Sequence, residues 1–168
     1  MRLNLGCGHD IIPGWVNVDA SDRLGPKVQV WNLDVLPWPW KSGTADEIRG
    51  VDIYEHVDNP VGFMAECHRI LKPDGILRLQ TCYWQCMDAY TDPTHKRAST
   101  EDSFDFWVKG TVYYRAQNDQ MGGMAFEKMK VAVNPATSQL DVILKKPLCE
   151  TWQSSSPPGD GPRPSLAW

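Results

Sequence analysis

The sequence predicts an α/β fold: a mostly parallel sheet with helices on both faces, closed by an antiparallel hairpin at its C-terminal end. Three observations carry this. Short apolar segments recur from the first residues to Thr81, several ending on an acid. Crossover segments separate them, which implies a parallel sheet. Two later apolar segments flank a run of turn residues, which implies a hairpin.

The first segment is Leu3-Asn4-Leu5, running into Gly6-Cys7-Gly8. Glycine permits a tight turn and close approach of backbone to a ligand. The second, Trp15 to Val18, ends on Asp19. A carboxylate at such a strand tip can accept hydrogen bonds from ribose hydroxyls. Val28 to Leu33 ends on Asp34, and Asp46 to Val51 ends on Asp52. Phe63 to Leu71 reads as an amphipathic helix started by Asn59-Pro60, with Val61, Met64, Ala65, His68 and Leu71 on one face. Lys72-Pro73-Asp74-Gly75 closes it, and Ile76 to Thr81 is the fifth strand. Residues 82–99 read as a long loop. Thr100 or Ser99 caps a short helix through Phe104 and Trp107. Phe126–Val133 and Leu140–Lys145 form the hairpin around 134–138.

One connection is unusually short. Parallel neighbours normally need a crossover of about a dozen residues or more. Only His9 to Gly14 separate Gly8 from Trp15, so a tight loop or single turn must replace the first helix. Residues 150–168 form a Ser/Pro/Gly-rich segment that reads as a flexible tail behind a single domain, 1–149. Leu166 and Trp168 could dock on a neighbouring surface.

Composition narrows the function. The 168 residues are 42% hydrophobic and 23% charged, as expected of a soluble domain with a real core. Net charge is −4 with no basic run, which argues against a nucleic-acid acceptor held through its phosphates. Lys96-Arg97 is the one hint of a local basic groove. No apolar run approaches the ~20 residues of a membrane span, and no signal peptide is visible. Five scattered cysteines suit reduced thiols in the cytoplasm. No metal site is expected, because no second pair completes Cys82 and Cys86 as a zinc site.

The motifs LNLGCG (3–8), NVD (17–19), LDVLPW (33–38), YEHV (54–57), RILKPDG (69–75) and LDVILKKP (140–147), in this order, resemble the class I S-adenosylmethionine-dependent methyltransferases, in their small type 11 branch. The resemblance spans roughly 1–147 and implies a Rossmann-like sheet with S-adenosyl-L-methionine as cofactor and S-adenosyl-L-homocysteine as product. It implies that Leu5, Gly6, Cys7 and Gly8 lie against the methionine end of the cofactor. Asp19 would take the ribose hydroxyls, with Ala20 beside the adenine. Leu33, Asp34 and the Val35 amide would flank the adenine, Asp34 accepting from its amino group. Gly50 and Val51 would offer backbone contacts to the methionine amino group. Where the family places a third glycine this chain has Asp10, and Asp52 has no assigned role.

Methyl transfer from a sulfonium needs an oriented acceptor and, if that acceptor is protonated, a group to take its proton. His95, in the loop after the fifth strand, is the first candidate base. His56, just after the fourth strand, is near the cofactor in the resembling family and is often structural there. Tyr83 and Trp84 could stack on a planar acceptor. Cys82 lacks the preceding proline of cytosine-C5 enzymes, and no Asp/Asn-Pro-Pro-aromatic motif follows the fourth strand. The reading is therefore a methyltransferase with a small-molecule or sugar-like acceptor. A second reading is a non-catalytic cofactor- or partner-binding module on the same fold. A nicotinamide dehydrogenase is disfavoured, since its three-glycine fingerprint and following helix are missing.

Overall fold

A computed structural model describes residues 1–117, 119–120 and 122–148. The tail assigned to 150–168, and Cys149, lie outside the described residues. Seven strands form one sheet: β1 (Arg2–Leu5), β2 (Val16–Asp19), β3 (Val28–Val30), β4 (Ala45–Val51), β5 (Leu71–Thr81), β6 (Glu127–Val133) and β7 (Leu140–Lys145), in the order β3-β2-β1-β4-β5-β7-β6. The first five are mutually parallel, while β7 runs antiparallel to both β5 and β6. The chain winds outward from β1 to β3, then returns to the other side of β1 as β4. The carboxyl ends of β1 and β4 therefore mark the switch point at which open α/β sheets bind ligands.

Strand alternation sends successive side chains to opposite faces. One face holds Leu3, Ile48, Leu77 and Leu144 in a single register row, all of them fully buried. Helix α1 (Pro60–Ile70) covers this face with Phe63, Met64, Cys67 and Ile70. Asn59 caps it, its side chain accepting from Gly62 N–H, and Pro60 occupies the first turn. The 310 segment Glu101–Trp107 adds Phe104 and Trp107 to the same core, and its capping box joins Thr100 and Ser103. Two helices absent from the sequence reading are short: α2 (Asp88–Thr91) and α3 (Val112–Gln117).

The opposite face carries far less. Right-handed crossovers place the β1–β2 and β2–β3 connections there, and both are abbreviated. The second contains only the 310 turn Asp22–Leu24, whose Leu24 lines a cleft with Trp15 and Asn17. The first is the tight loop anticipated from its length, held by side chains in place of a helix. Asn17 Oδ1 accepts from Ile12 N–H at 2.9 Å and from Asn4 Nδ2 at 3.0 Å, while Asn17 Nδ2 donates to Ile12 O at 3.1 Å. Asn4 Nδ2 also donates to Asp10 O, and Arg49 joins Asn4 Oδ1 to the Asp10 carboxylate.

Two boundaries differ from the sequence reading. Strand β3 stops at Val30 instead of running to Asp34, because Asn32 folds back: its Oδ1 accepts from Asp34 N–H and its carbonyl from Val35 N–H. The fifth strand begins at Leu71 instead of Ile76. Leu71 pairs with Ala45, and residues 72–75 bulge outward, with Asp74 in the left-handed region, before Ile76 resumes the ladder on Glu47.

The 31–44 loop is tied to α1 by Glu66. Its carboxylate accepts from Trp38 N–H at 2.7 Å and from the Arg69 guanidinium, which also donates to the carbonyls of Trp38 and Trp40. Burial opposes the charge on Glu66, but the bonds from Arg69 and Trp38 outweigh it and hold the carboxyl below its usual range.

Two measurements check this account. Asn17→Ala removes the side-chain partner of Ile12 N–H and of Ile12 O and one of the two bonds donated by Asn4 Nδ2, so chemical denaturation should show a loss of about 2–4 kcal/mol, the scale of several unmet buried hydrogen bonds. A loss below ~0.5 kcal/mol would mean that the loop is held by something else. Glu66 has a depressed folded pKa, so its contribution is present at neutral pH and lost as pH falls from about 4.5 through the folded value. Glu66→Gln should cost about 1–3 kcal/mol at pH 7, and the gap to wild type should close in denaturation curves taken toward pH 3.

Candidate functional site

The adenosine-sized half of the site lies at the tips of β1, β2 and β3. A cleft of about 200 Å³ is lined by Gly6, Asp19, Ala20, Leu33, Asp34, Ile53 and His56, among others. Five cofactor residues singled out in the sequence are thus brought to one place. Asp19 is the organiser: one carboxylate oxygen accepts from Gly8 N–H at 2.9 Å and the other from Ser21 N–H at 2.9 Å. Each oxygen keeps a second lone pair for a ligand hydroxyl. Asp34 Oδ1 accepts from Asp58 N–H at 2.7 Å, linking its side of the cleft to the segment after β4.

The other residues expected at the cofactor lie outside this cleft. The Val35 N–H donates to Asn32 O. Cys7 is buried, and its N–H donates to Val18 O, continuing the sheet. Gly50 and Val51 line a separate groove with Arg49, Arg78 and Asp141. Leu5 is fully buried in the core row. Ile53, absent from the sequence reading, lies over both glycines. A Cβ on Gly6 or on Gly50 would come within 2.7 Å of its side chain. Gly6 also has φ +61°, which glycine adopts without strain.

A second cavity, of about 520 Å³, opens beyond His56 and is lined by Asp52, Glu55, His56, Cys82, Asp88, Thr91, Asp92, Pro93, His95 and Gln139. His56 borders both spaces. The cavity is built by clamping residues 94–97 onto the segment after β4. Thr94 meets His56, Lys96 pairs with Asp58, and Arg97 donates to Tyr54 O and lies over the Tyr54 ring. Lys96 and Arg97 are therefore committed to this clamp. Glu55, fully buried, accepts from Thr81 Oγ1 at 3.0 Å and from Cys82 N–H at 3.1 Å, and its carbonyl accepts from Lys96 N–H.

The two histidines are in contact, ring centroids 4.7 Å apart and nearly perpendicular. His95 Nδ1 faces Cys82 Sγ at 3.6 Å, and its Nε2 faces Asp92 Oδ2 at 3.8 Å. Tyr83 is directed elsewhere: its hydroxyl donates to Glu101, and it does not line the cavity. Asp52, whose role the sequence left open, is held by the Gln139 side chain. Burial, and then the charge of Glu55, pushes its carboxyl above the usual range. Burial and the charge and hydrogen bonding of Glu55 push the Cys82 thiol up to about 12. A thiol in that state is a poor nucleophile. Spacing along the chain gave no sign that Asp52, Glu55, Asp92 and Gln139 would converge, since they arrive from three separate connections.

A nucleoside-sized cleft at the switch point of a 3-2-1-4-5-7-6 sheet, with an acid on the second strand, defines a class of nucleoside-cofactor α/β domains. Residues 3–79 match the family model described as a methyltransferase domain of type 11. The match runs from β1 into β5, and the chain shares its fold with S-adenosylmethionine-dependent methyltransferases of known structure. No curated protein sequence matches the chain. Solved structures share the fold at low identity. One is a chain of the complex containing the Haloferax volcanii Trm112 methyltransferase activator, with 12% identity, a TM-score of 0.64, and 87% of this chain aligned to 82% of that one. Another is a S-adenosylmethionine-dependent methyltransferase from Thermotoga maritima, with 16% identity, a TM-score of 0.60, and coverage of 86% and 81%. A third is the [4+2]-cyclase SpnF, with 13% identity, a TM-score of 0.58, and coverage of 88% and 75%. No helix among the described residues is long and apolar enough to cross a membrane.

The thiol chemistry is directly checkable. Peptide mapping after brief iodoacetamide treatment of the native protein at pH 7.5 should leave Cys82 unmodified, whereas the partly exposed Cys86 is labelled. Rapid labelling of Cys82 would show a thiolate in the cavity and restore it as a nucleophile.

Proposed function

We propose that this chain is a methyltransferase that uses S-adenosylmethionine and transfers the methyl group to a small polar acceptor. The observation that carries the reading is the shared wall: His56 borders both the cleft framed by Asp19 and Asp34 and the acid-lined cavity beyond it. A cofactor whose ribose meets Asp19 would direct its sulfonium toward that wall. The acceptor lone pair would form the new bond to carbon, the sulfur–carbon bond would break, and neutral S-adenosylhomocysteine would leave. The proton of a hydroxyl acceptor would pass to an imidazole of the pair, His56 after β4 or His95 in the connection after β5. Four carboxylates line the cavity, those of Asp52, Glu55, Asp88 and Asp92, with no Lys or Arg among them. That field favours neutral or cationic acceptors over phosphorylated ones.

A second reading, a binding module without turnover, has one observation in its favour. Ile53 covers Gly6 and Gly50, against which the methionine end of the cofactor would lie. Under the leading reading that side chain swings aside on binding. We place the reaction in a domain of residues 1–149, in the cytoplasm, without a role for the 150–168 segment.

Calorimetric titration with S-adenosylhomocysteine, with NADH as control, tests the cofactor. Micromolar binding of the former alone is expected, and Asp19→Ala should weaken it by ~1–3 kcal/mol, the scale for hydrogen bonds to a charged group. Unchanged affinity in Asp19→Ala would remove the ribose assignment. Absence of binding by wild type would leave the module reading.

A further inference from the structure

The cavity holds a third feature that neither the cofactor reading nor the fold requires. His56, Asp92 and His95 each bring one ligand-capable atom to a common point, the three atoms lying within 4.8 Å of one another. We propose that these residues bind a divalent first-row transition cation, which organises an oxygen acceptor for methylation. The proposal deepens the reading above and rests on it for the reaction.

The donor chemistry favours this set. Two imidazoles and one carboxylate on a single side of a cation, with further positions open, suit iron, manganese, cobalt or zinc. A tetrahedral cation with bonds of ~2.0–2.1 Å requires ligand atoms about 3.3 Å apart. The separation of 3.8 Å between His95 Nε2 and Asp92 Oδ2 is already close to that. Asp92 and His95 lie in one loop, so a small contraction would bring this pair to ligand spacing, with the atom of His56 within 4.8 Å of both.

The outer contacts fix the tautomer of His56. Thr94 Oγ1 donates its only proton to Asp92 Oδ1 at 2.6 Å. The contact of 3.1 Å between Thr94 Oγ1 and His56 Nδ1 must then run from the imidazole N–H to the hydroxyl oxygen. That leaves the lone pair of His56 on Nε2. A hydrogen bond to the far ring nitrogen, passed on to a carboxylate, is the usual support of a ligating histidine. Here one hydroxyl supports two of the three ligands at once. Asp92 retains Oδ2 for the cation, and a 46% exposed side chain gives it room to turn.

A competing set, Glu55, Cys82 and His95, meets the same distance limit. It is disfavoured because both oxygens of Glu55 are already engaged, one by the Thr81 hydroxyl and the other by Cys82 N–H. The surrounding acids Asp52, Glu55 and Asp88 would draw a cation into the cavity.

A cation here faces the 520 Å³ cavity. It would withdraw electron density from an acceptor hydroxyl and lower its pKa, taking over the part otherwise played by an imidazole base. The balance is then simple. The O–H proton leaves to water, the oxygen lone pair forms the O–CH3 bond, and the S–CH3 electrons return to sulfur. The acceptor class is therefore an alcohol or phenol able to ligate through oxygen.

The test uses the untagged full chain, stripped with chelator and titrated with Co2+ while visible absorption is followed. The expected result is a saturable d–d spectrum at one equivalent, displaced by Zn2+. His56→Ala, His95→Ala and Asp92→Asn should each weaken binding ~10-fold or more, while His9→Ala, an exposed histidine on the glycine loop, should not change it. Asp92→Asn serves if the histidine variants fail to fold. No saturable binding by wild type, or equal binding by Asp92→Asn, would overturn the site. A thiolate-to-cobalt charge-transfer band would also overturn it, assigning the cation to Cys82 instead. Titration of the stripped protein with S-adenosylhomocysteine separates the two claims: binding there with no cobalt binding sinks the cation alone.

Discussion

The structure depends on a small buried polar network that replaces a helix. Most of the length of a βαβ crossover serves to carry the chain back across the sheet. Here residues 6–15 make the return without a helix, and the backbone groups that a helix would have satisfied are met by side chains from the sheet. Asn17 supplies both an acceptor and a donor to Ile12, and Asn4 reaches the carbonyl of Asp10. Asn4 and Asn17 are almost fully buried, so these bonds form without competition from solvent. Arg49 from β4 then neutralises Asp10 and ties the loop to the far side of β1. The position of Gly8 follows from this loop, and the carboxylate of Asp19 completes the link.

The consequence is an asymmetric molecule. The face bearing Leu3, Ile48, Leu77 and Leu144 receives α1, the 31–44 loop and the 310 segment, and holds the hydrophobic core. The other face is a row of Asn17, Asn4, Arg49, Arg78 and Ile143 across five strands. Asn17, Asn4 and Arg49 are bonded to one another and to the loop, so polarity does there what helix burial does elsewhere. Few elements remain to build an acceptor site, and the task falls to the connection after β5. That connection is positioned by four successive side chains, Thr94 to Arg97, each engaged with the segment that follows β4. A loop held at every residue is a scaffold for chemistry, as catalytic groups require.

Much of this was legible in the sequence. The strands, the order of the motifs, the short first crossover and the cap at Asn59 all follow from local patterns, and each was found close to its expected place. The position of Asp19 at the tip of β2, beside the glycine turn, was legible for the same reason. The missing helix could be read as a length, but its replacement could not, because nothing local distinguishes Asn4 and Asn17 from ordinary strand asparagines. The end of β3 was misplaced because an Asx turn at Asn32 competes with strand continuation, and composition alone does not decide that contest. Tyr83 was read toward the site from its place after β5, whereas Glu101, eighteen positions later, takes its hydroxyl. The residues of the second cavity come from the segment after β4, the long loop and the hairpin turn, so only the folded topology brings them together.

Fold and family bear on the cofactor more firmly than on the acceptor, and the reason is physical. The sulfonium carries its own leaving group, so the protein needs little beyond orientation to use it. The same frame also appears in a [4+2]-cyclase, and the cofactor half alone does not fix a reaction. In this chain a set of polar groups lies on the far side of His56 from the Asp19 cleft. A carboxylate pushed upward by burial, a second carboxylate fully engaged in structure, and two touching imidazoles form an environment with no compensating cation of its own. Such an arrangement is costly to bury unless something that enters the cavity offsets it. On the proposed reading, an acceptor or an ion that accompanies it would contribute positive character or hydrogen-bond donors, and phosphate-bearing or carboxylate-rich acceptors would fit this cavity worst.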